Sequence, residues 1–494
     1  MARQRTISIL TAVFFYGVNA ALMAFCINFR HRLFGGPFLG FFLIILGVCS
    51  APLTPSHALS PTYQAGFENQ VYHAPVEPVY FPIISAGLRF ESTDTATPDS
   101  TGSEYRGDLL FRISPTHPQA WAVTSKNLYW GDRDENHQTP LRFSFGRRLI
   151  GWSRLDTLWS LGQIEPLDQW DRLRPSLQGL TGVFAYTETE KFHFRLFLSG
   201  LFLPETTPNV VLENQQFVRA HPQSITSAPQ TLSLLDQSLR ANYYLDIPSI
   251  SSIVFRPSFA VSMETKREIP ISAKFVYGYL PLNYFPPALQ GYNNISINEV
   301  IVTLRPRLLH HHVYNGELSY RFDDHLSAGG VALVDQPQTE TFAASDVATP
   351  LSVSTSWSPW IEYRTSSWQA TLSHLWVLGG LEADVGPPAL RSDTSSRFSS
   401  RLLYRNATLF QLAKHLMPGS KQDPVLKFKY IHEYSIKGDW FAADLEVQIQ
   451  PALMLFAGGD VLSSYRDAAP ERGAEFLADM RPLGRARLGV TYAF

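Results

Sequence analysis

The most chemically loaded stretch of this chain is Phe145–Gly179, FGRRLIGWSRLDTLWSLGQIEPLDQWDRLRPSLQG. It carries Arg147, Arg148, Arg154 and Arg174 together with Asp156 and Asp168, set among Trp152, Trp159 and Trp170. Fixed arginines and aspartates facing one passage would form a ring of charge, which sorts ions and polar solutes. The same residues paired with one another would form a rim loop or an interior plug held by ion pairs. Both readings stand on the sequence.

The other constellations carry less. Asp132, Asp134 and Asn136 have the spacing of an oxygen-ligand calcium loop, but His137 stands where the sharp turn needs Gly and no bidentate Glu follows. They read as a solvated loop. In a strand only His310 and His312 of the triplet His310–His312 would share a face, and no carboxylate or Cys is adjacent. They read as a polar rim or lumen cluster, and no metal site is expected. His432 and Glu433 fall on opposite strand faces, which weakens them as an acid/base pair. The chain has no Gly-x-Ser-x-Gly elbow and no HExxH zinc pair. No catalytic residue, cofactor or enzymatic activity is assigned.

The elements that must position these residues are strands, because the dominant pattern is alternation. In the last strand Ala486, Leu488, Val490, Tyr492 and Phe494 share one face, and Arg485, Arg487, Gly489, Thr491 and Ala493 the other. Phe441–Ile449 alternates Phe, Ala, Leu, Val and Ile with Ala442, Asp444, Glu446 and Gln448, and Lys191–Ser199 sets Phe192, Phe194, Leu196 and Leu198 against a face with Arg195. Arg240–Leu245, Gly316–Phe322, Pro359–Arg364 and Leu426–Glu433 repeat the pattern, the second pairing Glu317 with Arg321 on its polar face. Further strands are read at Val79–Glu91, Tyr105–Ser114, Ala120–Trp130, Leu141–Arg147, Leu180–Thr187, Ile253–Met263, Ile271–Leu280, Ile297–Leu304, Leu309–Tyr314 (joined to Gly316), Leu326–Val334, Trp368–Val377, Arg397–Tyr404 and Ala452–Gly459. Short links at Thr365–Ser367 and Ile449–Pro451 contrast with long ones at Pro204–Ser238, Asp335–Leu351, Leu381–Ser396 and Leu462–Pro482. Asn406–Lys421 breaks this parity, and its Leu409, Leu412 and Leu416 spacing suggests a short helix at one rim.

Composition says what encloses such strands. Of 494 residues 45% are hydrophobic and only 17% charged, against about 25% charged in a soluble domain. Yet the mean hydropathy is -0.07, too polar for a bundle of membrane helices. An apolar outside and a polar inside reconcile the two, and a transmembrane barrel is built that way. Aromatics at 13% fit interfacial girdles. Lysines number 9, leaving 32 arginines of the 41 basic residues, which suits paired charges in a poorly solvated lumen. The net charge of -2 argues against nucleic acid as a partner. A β-sandwich would also alternate, but would need several domains to use this length. The fold class is therefore all-β: a single transmembrane antiparallel β-barrel of about 18 strands, within 16 to 20.

Residues 1–58 read as a cleaved signal segment. Arg30–Arg32, the apolar Leu33–Val48 and Ser56-His57-Ala58 form basic, hydrophobic and small-residue regions, placing cleavage after Ala58. The apolar Ile7–Phe29 before them is explained by a true start at Met23, a spanning helix being the other option. Cys26 and Cys49 both lie in this segment, so residues 59–494, the barrel domain, have neither a disulfide framework nor a Cys-ligated metal. The roughly 20 residues between Ala58 and Val79 are too few for a separate plug domain.

With its Gly146-Arg147-Arg148 exit from a strand, followed by Gly151-Trp152, the Phe145–Gly179 segment resembles porin-like outer-membrane families of Gram-negative bacteria, in which such a strand leads into a loop at the lumen. The resemblance implies that this loop folds inward and narrows the pore, with Arg147, Arg148, Arg154, Asp156, Asp168 and Arg174 setting charge selectivity. Tyr492 and the terminal Phe494 resemble the signal by which barrel-assembly machinery recognises its clients. Arg195, Glu317, Arg321, Asp444, Glu446, Arg485 and Arg487 are read as lumen-facing. The expected location is the outer membrane. The expected partners are its lipids and lipopolysaccharide, the assembly machinery with periplasmic chaperones, a small solute, and further copies of the chain as a homo-oligomer. The function read is a channel passing small solutes or an exported polymer; the alternative is a non-conducting barrel acting as adhesin, scaffold or rim enzyme. Deleting Phe494 is expected to lower the amount of folded, membrane-inserted protein while leaving any solute contact intact; heat-modifiability on gels measures it, and wild-type levels would refute this role for the residue.

Overall fold

The structure is a computed structural model describing residues 59–493 apart from 74–76, 93–102, 133–140, 209, 220, 225–230, 235–236, 267–269, 295–298, 343–345, 349, 382–402, 421 and 465–475. Residues 1–58, read from the sequence as a signal segment, lie outside the described residues, as do Asp134, Asn136 and Phe494. The chain forms one antiparallel meander in which each strand pairs with the next. The first half comprises β1 (Leu59–Tyr72), β2 (Val79–Ser92), β3 (Ser103–Ile113), β4 (Trp121–Thr124 continuing as Leu128–Asp132), β5 (Leu141–Arg148), β6 (Leu180–Glu188), β7 (Phe192–Ser199), β8 (Ser258–Thr265) and β9 (Ile271–Pro281). The second half comprises β10 (His310–Arg321), β11 (Leu326–Pro337), β12 (Leu351–Arg364), β13 (Trp368–Leu381), β14 (Asn406–His415), β15 (Val425–Glu433), β16 (Gly438–Gln450), β17 (Leu453–Ser464) and β18 (Arg485–Ala493). The two pieces of β4 both pair with β3 and fill one position, so the ring has 18 strands.

The ring closes where β18 meets β1, in register from Gln64↔Ala493 to Tyr72↔Arg485. Closure leaves no sheet edge, as a bilayer interior requires, since an unpaired backbone group there costs several kcal/mol. Alternation then sorts the side chains. Phe67, Ile84, Leu198, Phe275, Leu372 and Leu488 stand outward and exposed, 37–71% like the other large outward apolars. Their strand neighbours Gln70, Arg142, Asn315, Asp335 and Asp460 point inward and are buried. A soluble protein would have this inside out. An even, closed strand number with an apolar outer face makes the protein an integral outer-membrane β-barrel.

The longest links all leave one end of the ring. Thr189–Lys191, Phe322–His325, Thr365–Ser367 and Pro451–Ala452 cap one end, while residues 149–179, 200–257, 282–309 and 465–484 leave the other. By the short-turn, long-loop rule the second end is extracellular. Two of its links supply most of a separate five-stranded sheet, in which Gln237–Leu245 runs parallel to Glu299–Pro306 over a small core of Leu239, Ala241, Tyr243, Val300, Val302 and Leu304.

Several strand readings shift. Asn406–His415 is β14, not a rim helix: Ala407 and Leu409 point inward and are fully buried, while Phe410 and Leu412 point outward, so apolar residues on both faces blurred a two-residue period into a helical one. Its parity is then regular. The stretch after Ala58 is a full strand, β1, whose Pro61 and Gly66 disguised it. Arg240–Leu245 and Ile297–Leu304 are strands of the extracellular sheet, since alternation reports a half-buried strand and not the sheet it joins. Ile253–Met263 divides into a short helix and β8. Arg397–Tyr404 falls mostly outside the described residues.

Candidate functional site

Residues 149–179 leave the extracellular end of β5 and turn back into the barrel. Gly146 (φ 122) marks the departure: an added Cβ would lie 2.2 Å from the Leu128 carbonyl oxygen, and past it two consecutive arginines are both buried. Arg147 donates to the Gly179 carbonyl and the Gln178 amide, stapling the loop's two ends, while Arg148 lies over the Tyr129 and Tyr186 rings. Gly151 (φ 74) begins the descent. Helix α1 (Arg154–Trp159) follows, its first turn capped by Ser153, whose Oγ accepts from Leu155 N–H, and its last closed by Ser160 at φ 52. Trp152, Leu155, Trp159, Ile164, Leu167 and Leu173 are all at most 1% exposed. They pack on inward apolar residues of the wall such as Phe197, Val276 and Leu409. Burial of this apolar face draws the loop inward.

Two acids shape the loop from within. Asp156 accepts the backbone N–H groups of Gln163 and Ile164 at 2.9 and 2.8 Å. Glu165 accepts those of Ile150, Gly151 and Trp152 at 3.0, 2.9 and 3.3 Å. Complete burial pushes the Asp156 carboxyl up to about 6 and that of Glu165 up to about 7, against those backbone donors.

Polar contacts then pin the loop to strands on every side. Asp168 pairs with Arg112 of β3, and Lys274 of β9 donates to the Gly151 carbonyl at 2.7 Å. Ser153 donates to Asn315, and the Arg154 amide to Glu317, both on β10. On β12 the Arg154 guanidinium pairs with Glu362 and covers the Trp360 ring, and Trp159 Nε1 donates to Ser358. Arg174 pairs with Asp444 of β16 and, at 3.1 Å, Asp460 of β17. Both Asp171 carboxylate oxygens accept from Nη2 of Arg485 on β18, at 2.9 and 2.7 Å. Burial would raise the Asp171 carboxyl, but Arg485 and Arg487 hold it well below the usual carboxylate range. From the next long link, Gln223 reaches in to Asp171 and Tyr72, and His221 lies edge-on to Trp170.

The six segment residues read from the sequence are thus all inside the barrel, each with a partner: Arg147 and Arg148 at the loop base, Asp156 within it, Arg154, Asp168 and Arg174 on the wall. The seven wall residues also face inward by register. Arg195 pairs with Glu264, Glu446 with Lys427 and Arg487 with Glu68. The first two pairs are a quarter to a half exposed, as is Glu91, and Arg89 and Arg364 are more so. They lie toward the periplasmic end, where the wall is charged and wet. Tyr492 points outward and is exposed. Sequence reasoning missed Arg112, Glu165, Glu362 and Asp460 as members of the site. Glu362 was legible as the polar member of the alternating Ile361-Glu362-Tyr363. Glu165 had no periodic signal.

Among the described residues no group of three or more His, Cys, Asp or Glu could hold a metal. The His triplet divides: His310 and His312 stack outward on Tyr279 and Tyr277, while His311 points inward and bonds Asp335 at 2.7 Å. His432 bonds the outward Asp439, and the inward Glu433 accepts the amides of Arg405 and Asn406.

No protein-family model matches the sequence, and no curated protein does. Among solved structures the chain is similar to Pseudomonas aeruginosa OccK11 (OpdR), at 12% identity and TM-score 0.45, covering 89% of this chain and 96% of that one. It is also similar to P. aeruginosa OccK2 (OpdF) in complex with glucuronate, at 9% and 0.46, covering 88% and 98%. A third is Acinetobacter baumannii OccAB1, at 10% and 0.46, covering 89% and 97%.

Arg485→Gln is expected to take from Asp171 its hydrogen-bonded cation and to leave Asp460 with Arg174 alone, costing about 3–5 kcal/mol as removal of one partner of a buried pair does; urea unfolding of the inserted barrel measures it, and an unchanged midpoint would show that the network is idle. A second expectation concerns pH. Because burial raises Asp156 and Glu165, the seated loop favours their protonated forms. That stabilisation is complete below their ordinary values of 3.8 and 4.5 and is lost as pH rises through about 6 and then 7. Amides of residues 150–165, corrected for intrinsic exchange, should therefore exchange faster at pH 8 than at pH 5, and Glu165→Gln should flatten the difference.

Proposed function

We propose that the protein is a porin-like channel, and not an enzyme, that passes small solutes across the outer membrane. The Gly151–Gly179 segment sets the narrowest cross-section of its lumen. The observation that carries this reading is the inward-folded loop pinned to β3, β9, β10, β12, β16, β17 and β18 inside a ring whose periplasmic half is lined with exposed charge pairs. A loop held this firmly narrows without swinging away, which suits a compact solute better than an exported polymer. The charges of the lumen stand mostly as cross-strand pairs of opposite sign. They offer both donors and acceptors to a polar molecule instead of a field of one sign. The competing reading, a sealed barrel that serves as an adhesin or scaffold, draws on the apolar packing of Trp152, Leu155 and Trp159 in the same segment.

Planar-bilayer recording of the purified barrel separates the two. Discrete conductance steps are expected, growing several-fold when Ser153–Gln178 is replaced by a short Gly-Ser linker. A folded, heat-modifiable barrel that gives no steps until the segment is removed would overturn the channel reading in favour of the sealed one.

A further inference from the structure

The link between β7 and β8 ends in a short helix, α2 (Ile250–Val254), held at the extracellular rim by Phe202 N–H donating to the Val254 carbonyl at 2.7 Å. β8 begins at Ser258. Ile247, Ile250 and Phe255 are 66, 41 and 68% exposed. Three large apolar side chains bare on an extracellular loop are costly in water. They lead directly into the exposed outward residues of β8, Val261 and Met263, so the patch continues the lipid-facing surface. Beneath it the stacked outward pairs Tyr279–His310 and Tyr277–His312 have the make-up of an interfacial girdle.

Arg256 sits at the junction. Its Nε donates to the Ser252 carbonyl at 3.1 Å and its Nη1 lies 3.5 Å from His310 Nδ1. Arg112, Arg154, Arg174, Arg195, Arg485 and Arg487 of the lumen each pair with a carboxylate; among the described residues Arg256 is within ion-pair distance of none.

We propose that α2 and Phe255 insert into the outer leaflet and that Arg256 binds the phosphate of an anionic, acylated lipid seated against β8–β10. Continuity with the lipid face supplies the acyl contact, and an arginine without a carboxylate supplies the charge-assisted bonds that phosphate accepts. The inference is independent of conduction.

The test uses the full barrel in phosphatidylcholine vesicles with and without bis-phosphorylated lipid A. Since Cys26 and Cys49 are the only cysteines and lie in the signal segment, Phe255→Cys or Ile250→Cys carries a single fluorophore. Brominated acyl chains should quench a label at 255 or 250 strongly, and one at the exposed turn residue Asp323→Cys weakly. Arg256→Gln should retain about tenfold less lipid A through detergent exchange, the weight of one charge-assisted bond, with bilayer conductance unchanged and Arg256→Lys intermediate. Equal quenching at 255, 250 and 323 would overturn the insertion, and equal lipid A retention by wild type and Arg256→Gln would overturn the phosphate site.

Discussion

Everything in this structure follows from the requirement that no backbone donor or acceptor be left open in hydrocarbon. The requirement is met at one seam, where β18 meets β1. The seam is reinforced from inside by Arg487, which pairs with Glu68 of β1, and by Arg485, which reaches further. Arg485 donates to Gln70 and Tyr72 on β1 and Asp460 on β17, and to Asp171 in the inward loop. One guanidinium thus joins the last strand to the first, to its predecessor and to the lumen loop. Closing the ring and seating the loop draw on the same charge, so they belong to one cooperative unit.

The inward loop solves a problem that closure creates. An 18-strand ring encloses more space than wall side chains can fill. The extracellular half of this lumen is apolar in large part, with Phe81, Phe184, Val313, Leu333 and Leu375 facing inward and buried. Bare, that surface would meet water. The loop covers it with three tryptophans and a row of leucines, and carries its own polar turns by capping them with Asp156 and Glu165. At the other end of the barrel the wall turns to exposed charge pairs, where no such cover is needed.

How much of this was legible depends on which residues carry a period. The strands of the lipid face were, because a membrane outside and a wet or charged inside impose strict alternation on Phe441–Ile449 and Arg485–Phe494. Where loops pack against the inner wall, both faces become apolar and the period blurs; Leu409 in β14 led to a helix for that reason. Alternation also cannot say which sheet a strand joins, so Arg240–Leu245 was placed in the wrong one. The loop was visible in composition, since Arg, Asp and Trp crowd Phe145–Gly179. Its partners were not, because Asp156 reaches Gln163 but Arg174 reaches Asp460, and nothing local marks a contact across a lumen.

The bias toward arginine is explained by those same long-range contacts. Of 41 basic residues only 9 are lysine, and the loop and its anchors use arginine at 112, 154, 174 and 485. Arg174 holds Asp444 and Asp460 together, and Arg485 holds Asp171 and Asp460 while still donating to Gln70 and Tyr72. A planar fork with five donors can serve several acceptors at fixed angles, which a lysine ammonium on a flexible stem does poorly. Asp460 is buried between two arginines and bonded to both. Arginine for arginine, the lumen is therefore built less as a charged surface than as a rigid frame.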